Sequence, residues 1–85
     1  MYYVYILFNE ITNRYYIGYT PDLRKRIQRH LSGKVQSTKS NLNYKLVHYS
    51  SFVEKADALG FEKYLKSGSG VAFMYKHFLK SLKKL

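Results

Sequence analysis

The run Tyr3-Val4-Tyr5-Ile6-Leu7-Phe8 is unbroken apolar and aromatic, and its residue types favour extended backbone. A half-exposed strand alternates apolar with polar residues, whereas a run without alternation suits a strand covered on both faces. It predicts the central strand of a sheet. The polar stretch from Asn9 to Arg14 then makes a turn, and Tyr15-Tyr16-Ile17-Gly18-Tyr19 returns as a second strand, giving a β-hairpin. Side chains alternate, so Tyr3, Tyr5 and Leu7 share one face of the first strand, and Tyr16 and Gly18 share one face of the second. The register between the strands stays open at this level. Gly18 leaves room for something to approach.

A chain of 85 residues buries only roughly 60–65% of the surface it would expose unfolded, which is enough for one core. A single domain over residues 1–85 is therefore expected. Ten tyrosines and five phenylalanines supply large, stiff core pieces at low entropy cost and exclude a disordered basic tail. Fifteen Lys and Arg against five Asp and Glu give a formal charge of +10. Such a charge repels itself unless a polyanion is nearby, so nucleic acid is the expected partner. The chain has no cysteine, which removes disulfides and thiolate zinc sites, and His30, His48 and His77 are too scattered for a local metal motif. No stretch approaches the ~20 apolar residues of a spanning helix, and the start lacks a charged leader. A soluble, unprocessed cytoplasmic protein is the expectation.

Thr20-Pro21-Asp22 has the form of a helix start, with Thr20 as N-cap, Pro21 in the first turn and Asp22 at the positive dipole end. Leu23, Ile27 and Leu31 then fall on one face, and Ser32-Gly33 ends the helix. Lys34 to about Tyr44 is a polar, unpatterned loop, long enough to be functional. Leu46 to Phe52 is a third strand, and Glu54 opens a second helix with Ala58, Phe61 and Leu65 inward. Ser67-Gly68-Ser69-Gly70 is expected to break that helix as a hinge. A last amphipathic helix aligns Val71, Met74, Tyr75, Phe78, Leu82 and Leu85, with Lys76, Lys80, Lys83 and Lys84 opposite. The fold class is α/β (α+β), a small central antiparallel three-stranded sheet flanked by helices in the order β-β-α-β-α-α.

Helical geometry at about 100° per residue marks Glu62 as out of place, inside the arc that Ala58, Phe61 and Leu65 should bury. A carboxylate there needs a cation, a metal or the edge of a cleft. A structural salt bridge is the plain alternative. The other acids have simpler explanations: Asp22 and Glu54 at helix starts, Glu10 in the hairpin turn, and Asp57 facing away from the apolar stripe. Arg26 and His30 are four residues apart, hence neighbours on one flank of the first helix. Each also has a structural reading, Arg26 as a solvated cation and His30 as a complement to the negative helix end.

Taken together, Tyr3-Val4-Tyr5 followed by Tyr16-Ile17-Gly18 resembles the paired motif that names the GIY-YIG nucleases. That family carries an arginine on the helix after the second motif, a histidine one turn later, and a metal-binding glutamate on a later helix. Arg26, His30 and Glu62 stand in the corresponding places. The chain looks like a small stand-alone member, similar to the N-terminal nuclease domain of a DNA-repair excinuclease. It departs from the pattern at Tyr3, where the family name has its first glycine, and at Phe61, where a basic residue often precedes the glutamate.

The resemblance implies a metal-dependent endonuclease that hydrolyses DNA phosphodiesters with low sequence specificity, in DNA repair or recombination. One divalent ion, Mg²⁺ or Mn²⁺, would sit on Glu62, a hard oxygen donor. Arg26 would fork onto the phosphoryl oxygens. Tyr5 would orient or deprotonate the attacking water, with Tyr16 hydrogen-bonding nearby and His30 assisting proton transfer. No small-molecule cofactor and no membrane are implied. Backbone grip is expected from Arg24, Lys25 and Arg29 on the first helix, from Lys34 and Lys39 in the long loop, and from the C-terminal lysines. The alternatives are a catalytically inactive nucleic-acid-binding module of the same fold and, more distantly, a membrane-surface protein anchored by its last helix.

Overall fold

The hairpin forms where the tyrosine-rich runs predict it. In the computed structural model, which describes residues 1–32 and 43–79, β1 (Tyr2–Asn9) and β2 (Arg14–Thr20) are followed by α1 (Leu23–Leu31), β3 (Tyr44–Phe52), α2 (Lys55–Leu65) and α3 (Gly68–His77). The strands make an antiparallel sheet in the order β2-β1-β3, with β1 central. The β1–β2 turn is held by the Asn9 side chain, whose amide oxygen accepts from the backbone N–H groups of Ile11 at 2.9 Å and Thr12 at 3.2 Å. Asn13 takes the left-handed conformation, φ 58°, which asparagine tolerates better than most residues.

The register puts Tyr5 opposite Gly18, Leu7 opposite Tyr16 and Tyr3 opposite Thr20. On the other side of β1, Tyr5 pairs with Tyr49 and Leu7 with Leu46, across an irregularity between Ile6 and Leu7. One sheet face therefore carries Tyr3, Tyr5, Leu7, Tyr16, Gly18 and Tyr49. The opposite face carries Val4, Ile6, Phe8 and Ile17, which form the main core with Ala58 and Leu65 of α2, Met74 of α3, and Leu79. Thus α2 and α3 cover one face and α1 covers the other. That two-sided cover is what the unbroken pattern of β1 requires.

Local corrections to the sequence reading have tertiary causes. The N-cap of α1 is Asp22, whose carboxylate accepts from the backbone N–H of Lys25 at 3.1 Å. Thr20 instead ends β2, buried, with its hydroxyl accepting from the Asp22 N–H and donating to the Asp22 carbonyl. Leu31 is 52% exposed rather than inward, and His30 is the buried member of the last turn. The second helix does break where expected, α2 ending at Leu65, but the Ser-Gly stretch is the start of α3 rather than a hinge: Ser67 caps α3 by accepting from the Gly70 N–H at 3.2 Å. Gly70 is buried where any Cβ would collide with the Tyr64 carbonyl, so this glycine lets α3 pack on the end of α2. The described part of the last helix carries the expected stripe, with Met74 buried and Lys76 exposed; the expected Leu82, Leu85, Lys80, Lys83 and Lys84 lie outside the described residues.

Candidate active site

Hairpin register and the pitch of α1 bring four side chains together. The Tyr5 hydroxyl lies 2.9 Å from Nε2 of His30, and both residues are buried. The His30 ring meets Tyr16 edge-on at 4.9 Å and Tyr5 at 5.5 Å, and the two tyrosine rings are 6.2 Å apart. Arg26, one turn before His30, is half-buried and close enough to act on the charge of both Tyr5 and His30. Gly18 completes the cluster, since a Cβ there would fall inside contact distance of the Tyr5 ring carbon Cζ and its hydroxyl. A side chain on the facing strand would push Tyr5 off His30.

The electrostatics set the proton positions. Burial, and secondarily Tyr16, pushes the Tyr5 phenol up to about 12 against the opposing pull of Arg26. Burial also lowers the His30 pKa, with Arg26 and Arg29 repelling the imidazolium. At neutral pH the pair is thus a protonated phenol beside a neutral imidazole, and the tautomer of His30 sets which of the two donates. Tyr5 in this state is not a ready base.

Glu62 is not part of that cluster. It belongs to α2, which packs on the other sheet face, and its side chain is 22% exposed with Lys66 at 3.3 Å, one helical turn away. The sequence places Glu62 inside the arc that should be buried; in the structure its side chain is partly buried at the edge of that arc, and the plain alternative of an ion pair is the one observed. Phe61 turns to Phe52 on β3, with rings 5.6 Å apart, and helical spacing sends Glu62 to the other side of the Ala58–Leu65 line. Glu62 and Lys66 form an oxygen donor at the solvent edge with an exchangeable cation beside it. A metal that keeps most of its water suits such a donor.

Arg24, Lys25 and Arg29 are exposed along α1, whereas Lys34 and Lys39 lie outside the described residues. Sequence reasoning missed an open groove of about 570 Å³ between α1 and the sheet, lined among others by Tyr3, Leu46 and Tyr49. Its signal, aromatic residues on two strands, becomes readable only once the β1–β3 register is known.

Residues 1–78 match the GIY-YIG catalytic domain. The chain belongs to the GIY-YIG family. It is similar to a UPF0213 protein of Streptococcus pneumoniae serotype 4, with 43% identity over 53 residues, or 61% of this chain and 54% of that one. A second UPF0213 protein, from the R6 strain of the same species, is 42% identical over the same share. This GIY-YIG chain spans about half the length of the curated relatives it matches. Its fold resembles the solution NMR structure of a UPF0213 protein from Bacillus halodurans, with a TM-score of 0.56, 32% identity and coverage of 89% of this chain and 84% of that one. None of the helices among the described residues is long and apolar enough to cross a membrane.

Proposed function

We propose that this GIY-YIG protein is a metal-dependent endonuclease, cytoplasmic, that hydrolyses DNA phosphodiester bonds with little sequence preference during repair or recombination. The observation that carries the reading is the buried Tyr5–His30 hydrogen bond beside Tyr16 and Arg26. A polar pair sunk under a helix flank is a costly way to fill a core unless the proton it shares has a use.

The roles follow from the proton positions. A water attacking phosphorus gives its proton to the Tyr5 oxygen as the Tyr5 proton passes to Nε2 of His30. This relay lets a phenol with a high pKa serve without ionising first. Tyr16 orients the water, and Arg26 presents its planar fork to the phosphoryl oxygens where charge accumulates. Glu62 would hold one Mg²⁺ or Mn²⁺ ion in exchange for Lys66; when bound, the ion supplies charge stabilisation for the departing 3′ oxygen. β2 is an edge strand, and α2 packs against it and against β1. Arg24, Lys25 and Arg29, with Lys34 and Lys39, grip the phosphate backbone.

The test is cleavage of single-stranded, duplex, flapped and branched DNAs with Mg²⁺, Mn²⁺ or chelator. Expected are metal-dependent products bearing a 5′-phosphate, abolished in Tyr5→Phe, Arg26→Ala and Glu62→Ala with binding retained. The ion pair that already occupies Glu62 favours one second reading, a nucleic-acid-binding module without activity. Binding with no cleavage under any ion would establish that reading instead.

A further inference from the structure

The groove on the Tyr5 face of the sheet has a floor of aromatic and apolar side chains, one wall from α1, and a cation at its rim. Tyr3 and Tyr49 meet edge to face with ring centroids 6.3 Å apart. Such a pair leaves ring faces open to a third ring. Tyr49 is 52% and Leu46 39% exposed, unusual for large side chains on the covered side of a sheet. Leu23 and Ile27 close the helix side, and the Arg24 guanidinium borders the opening. Asp22 also lines it, but its carboxylate is engaged as the helix cap. At about 570 Å³ the groove lies within the usual range for small-molecule sites.

Its position limits what it holds. Tyr49 is the direct cross-strand partner of Tyr5, so the open ring stands one strand spacing from the Tyr5–His30 pair, on the same face. Flat aromatic walls, a rim arginine and a net charge of +10 match a flat ring joined to a phosphate. A paired base inside a duplex cannot offer its face to a protein ring, whereas an unpaired base can. We propose that this groove stacks one unpaired base of a single-stranded DNA segment on Tyr49, seated against Tyr3, with Arg24 on the adjoining phosphate. The choice of DNA as ligand rests on the nuclease reading; the groove makes the unpaired segment beside the scissile bond the preferred substrate class.

Binding of the full chain to a fluorescein-labelled oligothymidine, and to a duplex of equal length, is measured by anisotropy with chelator present so that nothing is cut. Tyr49→Ala is expected to weaken single-strand binding by about 5- to 150-fold, the range for loss of one stacked base. Duplex binding should hold, and the salt dependence should keep its slope because no phosphate contact is removed. Tyr49→Trp should restore the affinity, and a 2-aminopurine in the oligonucleotide should lose its binding-induced fluorescence change in Tyr49→Ala alone. Equal losses on both DNAs, or no loss on either, overturn the proposal. If Tyr49→Ala is silent while wild type cuts, the groove assignment alone fails. If the binding contrast appears and no DNA is ever cut, the nuclease reading alone fails.

Discussion

The Tyr5 hydroxyl and Nε2 of His30 share a hydrogen bond of 2.9 Å, a buried link from β1 to the last turn of α1. Both groups are removed from water, so deleting one takes a buried hydrogen bond from the other. Tyr5→Phe should lower unfolding stability by about 0.5–1.5 kcal/mol through that lost bond. His30→Ala should cost more, because it removes the same bond and also leaves a void. Combined, the two changes should cost less than their sum by about 0.5–1.5 kcal/mol, since the shared bond is lost only once. Urea titration of the four proteins gives this coupling directly; additive losses would show that the bond carries no stability.

The same pair fixes a pH response. Folding weakens the hold of His30 on its proton relative to the ordinary value of 6.5, so the unfolded chain takes up protons first as pH falls. Stability from this source is complete above about 6.5 and is lost progressively below it. His48, lowered by its own burial, acts in the same direction, so His30→Gln should flatten the acid loss only in part. Melting temperature measured from pH 5 to pH 8 on both proteins tests this. Cleavage should fall only at lower pH than the onset of the stability loss, once the folded His30 itself protonates below its ordinary 6.5, because the imidazolium has no lone pair for the Tyr5 proton.

Gly18 faces Tyr5 so closely that a methyl group has no place. Gly18→Ala should therefore displace the phenol from His30, costing about 1–3 kcal/mol as an overpacked core does. The phenol resonances should lose their distinctive environment in the NMR spectrum, and cleavage should fall with them. An unchanged Tyr5–His30 contact in this variant would mean the hairpin accommodates the methyl by backbone shift.

Much of this arrangement is legible from residue order, and the failures have identifiable physics. Alternation along β1 and β2 assigns Tyr5, Tyr16 and Gly18 to strand faces, but a period of two says nothing about register, so the direct opposition of Tyr5 and Gly18 appears only in three dimensions. Arg26 and His30 are neighbours by helical pitch alone. Glu62 is different: helical angles put it inside the inward arc of α2 but do not say which sheet face α2 covers. That face is opposite to Tyr5, and Lys66 supplies the cation that the sequence leaves unspecified. Ser67 to Gly70 correctly reads as the break after α2 but not as the start of another helix, because glycine disfavours helices; the close approach of α3 to the Tyr64 carbonyl outweighs that propensity. The Tyr3–Tyr49 groove depends on a pairing interrupted between Ile6 and Leu7, which no local pattern encodes.

Two further glycines make opposite predictions. Gly60 lies inside α2 with open space where a Cβ would be, whereas a Cβ at Gly70 would meet backbone. Gly60→Ala should stabilise by about 0.5–1 kcal/mol, raising the melting temperature by roughly 2–8 °C in a domain of this size. Gly70→Ala should destabilise by about 3 kcal/mol or more, since a carbonyl held in the α2 terminus cannot yield as a side chain can. Thermal unfolding followed by circular dichroism separates the two signs.

Glu62 offers the cleanest separation of stability from chemistry. Its pair with Lys66 spans one helical turn, with the lysine side chain 55% exposed, so the pair contributes only about 0.3–0.5 kcal/mol. Glu62→Gln keeps size and hydrogen-bonding capacity and should leave the melting temperature nearly unchanged. If Glu62 holds the ion, that variant should lose Mg²⁺-supported cleavage and still bind DNA. Lys66→Ala should have the opposite signature, binding the ion more tightly because the competing ammonium is gone, and reaching full cleavage at lower Mg²⁺ concentration. Titrating Mn²⁺ by electron paramagnetic resonance reads ion affinity without reference to turnover. Equal Mn²⁺ affinity in wild type, Glu62→Gln and Lys66→Ala would remove Glu62 from the metal's coordination and leave it as the ion-pair partner of Lys66.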